Sequence, residues 1–104
     1  MSSMKMIWLP AAEADFKRIL NRAKEKGKFR EFAEAHNEIV KIIRDEETAF
    51  AKGEILFNTK TPGGEVRILV RDGISICYAV FRIEKAGWIL KYQTAPGIWP
   101  FTSE

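Results

Sequence analysis

The chain has 104 residues, 46% hydrophobic and 30% charged, with 17 basic and 14 acidic residues and a net charge of +3. That is the length and balance of one globular domain with a core of its own, and it excludes general disorder. No apolar run approaches the ~20 residues that cross a bilayer, and Met1 to Pro10 lacks the charged, apolar and small-residue regions of a signal peptide, so the expected location is the cytoplasm.

Met4 to Leu9 reads as a first strand, ended by Pro10. Proline suits the first turn of a helix, and Glu13 and Asp15 follow where carboxylates favour the positive helix end. Ala12, Phe16, Ile19, Leu20 and Ala23 recur at helical spacing. Gly27 is the stop signal, so the first helix is predicted over 11–26. A second helix is predicted over 29–49, with Phe32, His36, Ile39, Val40 and Ile43 on one face. The two form a helical hairpin.

After Gly53 the period changes from helical to alternating. Glu54 to Asn58 reads as a strand, and Thr61-Pro62-Gly63-Gly64 as a turn. In Glu65 to Arg71, Val66, Ile68 and Val70 point one way while Arg67, Leu69 and Arg71 point the other. Asp72-Gly73 is a hairpin turn. Ile74 to Ile83 is apolar on both faces and reads as a central strand; Ala86-Gly87 reads as a turn before a last strand over 88–93. The aromatic tail from Ala95 to Phe101 reads as irregular, packing back on the body or on a partner. The order predicts a single α+β domain with two N-terminal helices on one face of a small antiparallel sheet. The other face, with Arg67 and Arg71, is left free.

Basic residues concentrate in Lys17, Arg18, Arg22, Lys24, Lys26, Lys28 and Arg30, opposed there only by Glu25. This stretch, with Lys60 in the loop before Pro62, is the candidate surface for an RNA backbone; the alternative is a solvated helix end. One histidine and one cysteine cannot supply the usual ligand sets for a metal. Pro62-Gly63-Gly64 lacks the lysine and helix of a phosphate loop, so no cofactor is implied. His36 lies on an apolar helix face and reads as a core histidine. Cys77 sits in an apolar run and reads as a small buried hydrophobe. Trp8, Trp88 and Trp99 read as core or partner-contact residues.

The element order resembles the RelE/ParE superfamily, small cytosolic toxins of bacterial type II toxin–antitoxin pairs. Three segments carry the resemblance: Trp8-Leu9-Pro10-Ala11-Ala12-Glu13-Ala14-Asp15, the stretch Arg44 to Glu54, and Glu65 to Val80. The RelE branch implies ribosome-dependent, metal-independent cleavage of messenger RNA, in which the RNA's own 2′-hydroxyl attacks the adjacent phosphate. Fixed cations then hold the developing charge and protein groups assist proton transfer. By position, Arg67 and Arg71 match basic residues of the family's active strand, and Tyr78 matches a tyrosine of the next strand. The family's arginine after the turn falls at Ser75, and its basic residue after the last strand falls near Ala95 or Pro96. The nearest substitutes are Lys91 and Tyr92, so the implied catalytic set is Arg67, Arg71, Lys91 and Tyr92. The ParE branch instead implies a toxin that poisons DNA gyrase by contact. A non-catalytic interaction domain of the same fold is the third reading. The class implies a cognate antitoxin as partner.

Overall fold

In the computed structural model, which describes residues 3–94, the chain runs β1 (Lys5–Trp8), α1 (Pro10–Glu25), α2 (Phe29–Arg44), α3 (Glu46–Ala49), β2 (Glu54–Asn58), β3 (Gly64–Arg71), β4 (Ile74–Phe81) and β5 (Ala86–Thr94). The strands form one sheet in the order β1-β5-β4-β3-β2. The hairpin-linked strands β2 to β5 are antiparallel, and β1 joins the β5 edge in parallel. The α+β fold class read from the sequence is the one the chain adopts, with this one parallel pairing added.

Local chemistry accounts for the elements. Pro10 opens α1 at a position whose N–H would have no helical partner, and Glu13 sits in the first turn with Arg22 and Lys24 in the last. Past Glu25 the Lys28 N–H bonds the Ala23 carbonyl at 2.7 Å and the Gly27 N–H bonds Lys24 at 3.2 Å. This is a Schellman closure, and it needs the positive φ of +70° at Gly27. Asp72 and Gly73 both have positive φ, as a two-residue hairpin turn between twisted strands requires.

The second predicted helix is interrupted. Asp45 leaves helical geometry (φ −86°, ψ 124°), and its carboxylate accepts the Glu47 N–H at 2.9 Å to cap α3. An aspartate with this alternative competes with helix continuation. The extended backbone also meets the chain start, where the Met4 N–H bonds the Arg44 carbonyl at 2.8 Å and Ser3 bridges to Asp45. The predicted turn at Ala86-Gly87 lies earlier, at 82–85 with Lys85 at φ +51°. Gly87 is a strand residue, and a Cβ there would come within 2.8 Å of the Met6 sulfur.

The core lies between the helices and one sheet face. Ala12, Ile19 and Ala23 of α1 and Phe32, Ala35, Ile39 and Ile43 of α2 pack on Leu69, Ile74, Ile76, Tyr78, Val80, Ile89 and Tyr92. Val66, Ala79 and Trp88, which are register partners, share the opposite face. Among the described residues no helix is long and apolar enough to cross a membrane.

Candidate functional site

Arg67 does not stand on the free face. Its parity with Leu69 is as the alternation predicts, but Leu69 belongs to the core, so that parity turns both toward the helices. The free face carries Val66, Ile68 and Val70 instead. Arg67 is only 6% exposed. Its Nε donates to Glu65 Oε1 at 2.8 Å and its Nη1 donates to the Gly53 carbonyl. Across the ladder stands Tyr78, fully buried, whose hydroxyl donates to the Ala49 carbonyl at 2.8 Å. Burial pushes the Tyr78 phenol up to about 12, against the opposing pull of the Arg67 charge. These groups strap the α3–β2 connection to the sheet; the guanidinium is paired with the Glu65 carboxylate and its Nε and Nη1 are engaged.

Tyr92 is also inside. An uninterrupted strand would alternate Trp88, Leu90 and Tyr92 on one face. The register instead slips between Cys77 and Tyr78, so that Ile89 faces Tyr78, Lys91 faces Cys77, and Leu90 is the extra residue of a bulge. Tyr92 therefore joins Ile89 in the core. Its hydroxyl is hydrogen-bonded to His36 Nδ1 at 2.9 Å, within a cluster of Trp8, Phe16 and Phe32. Burial raises the Tyr92 phenol and lowers the His36 imidazole, so both are neutral at pH 7.

The four implied catalytic residues thus do not converge. Arg71 is exposed at the end of β3, opposite Ile74. Lys91 is exposed on β5, paired in register with Cys77, whose thiol is raised first by burial and lowered by the Lys91 charge. Lys91 and Tyr92 do share one cleft with Asp15, Arg18 and Thr94, between α1 and the part of β5 that β1 leaves uncovered. Asp15 read from the sequence as a helix-start carboxylate and Thr94 not at all; neither read as a site residue, because it is the short reach of β1, which pairs with residues 86–89, that opens this edge. Thr94 Oγ1 is buried there with no hydrogen-bond partner among the described residues.

The basic stretch is less one-sided than its sequence. Lys17 pairs with Glu13 and Arg18 with Asp15, each at 3.2 Å; Arg22 approaches Glu25 and Lys28 approaches Glu31 at 3.8 Å. Lys24 lies 5.5 Å over the Phe29 ring. The helical turn brings acids from before and after the stretch alongside it. Lys26, Arg30 and Lys60 are exposed. Of the tryptophans, Trp8 packs on the core and Trp88 is on the free face. Trp99, Ala95 and Pro96, with the rest of the tail, lie outside the described residues. Among the described residues no group of three or more His, Cys, Asp or Glu is placed to hold a metal ion.

No protein-family model and no curated protein matches this chain in sequence. In three dimensions it is similar to a solved chain of the chromosomal ParDE toxin–antitoxin system from P. aeruginosa, with a TM-score of 0.59 and 21% identity over 89% of this chain and 97% of that one. The likeness is one of fold, and it is the RelE/ParE-like fold that the order of elements resembles.

Proposed function

We propose that this chain is the toxin of a type II toxin–antitoxin pair, acting in the cytoplasm by binding a protein target rather than by cutting RNA, with a type II topoisomerase such as DNA gyrase as that target. The fold it shares along nearly its full length with a chain of a ParDE system supports the toxin–antitoxin reading. The observation that carries the choice of mechanism is the burial of Arg67 against Glu65 and of Tyr92 against His36. Metal-free RNA cleavage needs exposed cations fixed around one phosphate and a group placed for proton transfer. A cation held by a carboxylate and a carbonyl, and a phenol held above its ordinary pKa inside an aromatic cluster, supply neither. The cognate antitoxin is the expected partner.

A second reading, ribosome-dependent cleavage of messenger RNA, is favoured by the cleft that joins Arg18, Lys91 and Tyr92. Purified protein tested against gyrase supercoiling and against translating ribosomes separates the two. Inhibited supercoiling with intact mRNA supports the contact toxin. Cleaved mRNA, lost on Arg18→Ala/Lys91→Ala, supports the nuclease. Normal growth of cells that accumulate the folded protein, with neither effect in vitro, overturns both.

A further inference from the structure

Positive charge gathers at the tip of the helical hairpin, where α1 passes into α2. Arg22, Lys24, Lys26, Lys28 and Arg30 are five of the chain's 17 basic residues, and Glu25 is the one acid among them, so the rest of the chain is net acidic. Lys24, Lys26, Lys28 and Arg30 are exposed. Arg22 and Lys28 each have a carboxylate at 3.8 Å, but among the described residues neither Lys26 nor Arg30 has an ion pair. Folding accounts for only part of this cluster. The cations that end α1 suit the negative end of its dipole, whereas Lys28 and Arg30 open α2, where the dipole opposes them. Between those two stands Phe29, 46% exposed and outside the core, with Lys24 Nζ 5.5 Å over its ring. The bonds from the Lys28 N–H to Ala23 and from the Phe32 N–H to Lys28, at 2.7 and 3.0 Å, hold the turn. Nothing lies within 4 Å of a Cβ placed on Gly27, so the turn projects into open space.

We infer that this tip binds single-stranded nucleic acid, with Lys26, Lys28 and Arg30 on backbone phosphates and Phe29 stacked on an unpaired base. Phosphates supply the opposite charge, and every base has a π-face that an exposed aromatic ring takes without regard to sequence. A protein partner fits less well, because lysine is depleted from protein interfaces. A lipid surface fits less well too, since one phenylalanine is far less than the apolar face that holds a helix in a membrane interface. Charge also sets the path of the strand. Glu31, Glu34 and Glu38 of α2 line a separate cleft with Asp72 and repel it. Arg18, about one helical turn before Arg22, carries positive charge back along α1 into the cleft that holds Lys91. The strand therefore leaves the tip along α1. This inference needs no cleavage of RNA and does not depend on the toxin reading.

The test is fluorescence anisotropy of labelled oligo(dT) and oligo(U), about 12 nucleotides long, titrated with the full chain from ~50 to ~200 mM salt. Urea melts show that each variant is folded. Binding is expected, with log affinity falling against log salt by about 0.7 per phosphate contact, a slope of about −2 for three contacts. Lys26→Gln/Arg30→Gln flattens the slope to about −0.7, whereas Lys60→Gln, in the β2–β3 loop, leaves it unchanged. Phe29→Ala weakens binding by about five-fold or more at unchanged slope, and Phe29→Trp keeps it. Tighter binding of oligo(U) makes the ligand RNA, tighter binding of oligo(dT) makes it DNA, and equal binding assigns recognition to the phosphates and base faces that both share. A chain that binds neither strand overturns the proposal. So does binding indifferent to Phe29→Ala, or as sensitive to Lys60→Gln as to the double variant. Duplex DNA bound as tightly as a single strand overturns it too, since a paired base offers Phe29 no free face. Binding only to vesicles of anionic lipid does the same.

Discussion

The Tyr92 hydroxyl at the end of β5 and His36 Nδ1 on α2 are 2.9 Å apart, hydrogen-bonded at the centre of the aromatic cluster. The Phe16 ring is stacked on the imidazole at 4.5 Å between centroids, with Trp8 and Phe32 each at 6.1 Å. Aromatic walls solvate an imidazolium poorly, which is why burial holds His36 below its ordinary value of 6.5. The pair ties α2 to β5 through two residues 56 apart in the chain.

A pH dependence of stability follows. Between the lowered pKa of folded His36 and the value of 6.5 in the unfolded chain, the unfolded state binds more protons. Unfolding free energy then rises with pH across that window and falls as pH drops below about 6.5. Urea midpoints from pH 5 to 8 should show this slope, and His36→Phe should flatten it. An equal slope in His36→Phe would assign it to other groups. Tyr92→Phe, which leaves the imidazole without its partner, should cost about 1 kcal/mol at pH 7.

Arg67 is a strut, and its removal should read as lost stability. Arg67→Met strands the Glu65 carboxylate and the Gly53 carbonyl in a site where both side chains of the pair are under one-fifth exposed. Breaking one partner out of a buried pair costs about 3–5 kcal/mol, whereas replacing both by apolar groups is often neutral. Arg67→Met should therefore be strongly destabilised in urea, and Arg67→Met/Glu65→Leu should regain most of the loss. An Arg67→Met protein as stable as the parent would refute the strut.

The sequence made the order of elements legible because each is punctuated locally: Pro10 and Gly27 around α1, Asp72-Gly73 between β3 and β4. Alternation also grouped Arg67 with Leu69 correctly. Period alone gives a parity, not which parity is inside. That was decided by Tyr78, Gly53 and Ala49, up to 29 residues from their partners in chain order. The same gap hid the position of Tyr92. One extra residue at Leu90 reverses every later side chain of β5, and nothing in Trp88-Ile89-Leu90-Lys91 announces a bulge. The exposed cations Arg71, Lys91 and Lys60 were readable as surface residues, but their separation over the fold was not.

Gly53 and Tyr78 should behave as a coupled pair. A Cβ on Gly53 would collide with the Tyr78 hydroxyl, lie 3.0 Å from Tyr78 Cζ and come within 3.2 Å of Arg67 Cβ. Tyr78 cannot retreat, since it is fully buried and bonded to the Ala49 carbonyl. Gly53→Ala should cost about 1–3 kcal/mol as an overpacking change. Tyr78→Phe alone should cost about 1–2 kcal/mol for the carbonyl left unpaired. Because Tyr78→Phe removes the atom most in the way, the double variant should be less destabilised than the two costs added. Simple additivity in the double-mutant cycle would contradict the contact.

Gly27 offers the contrasting case, in which space is not at issue. Nothing lies within 4 Å of a Cβ placed there, so only its φ of +70° resists substitution. Gly27→Ala should cost about 1 kcal/mol, the penalty of an ordinary side chain in the left-handed region. Gly27→Asn should cost less, because asparagine tolerates that region at a helix end. The Schellman bonds from Lys28 to Ala23 and from Gly27 to Lys24 should persist in both variants, seen as retained hydrogen-exchange protection of those two amides. If alanine and asparagine were equally costly and protection were lost in both, α1 would be ending by a mechanism other than the left-handed residue. The basic end of α1 would then not be held as the structure has it, with Lys28 turned back toward Glu31 at 3.8 Å.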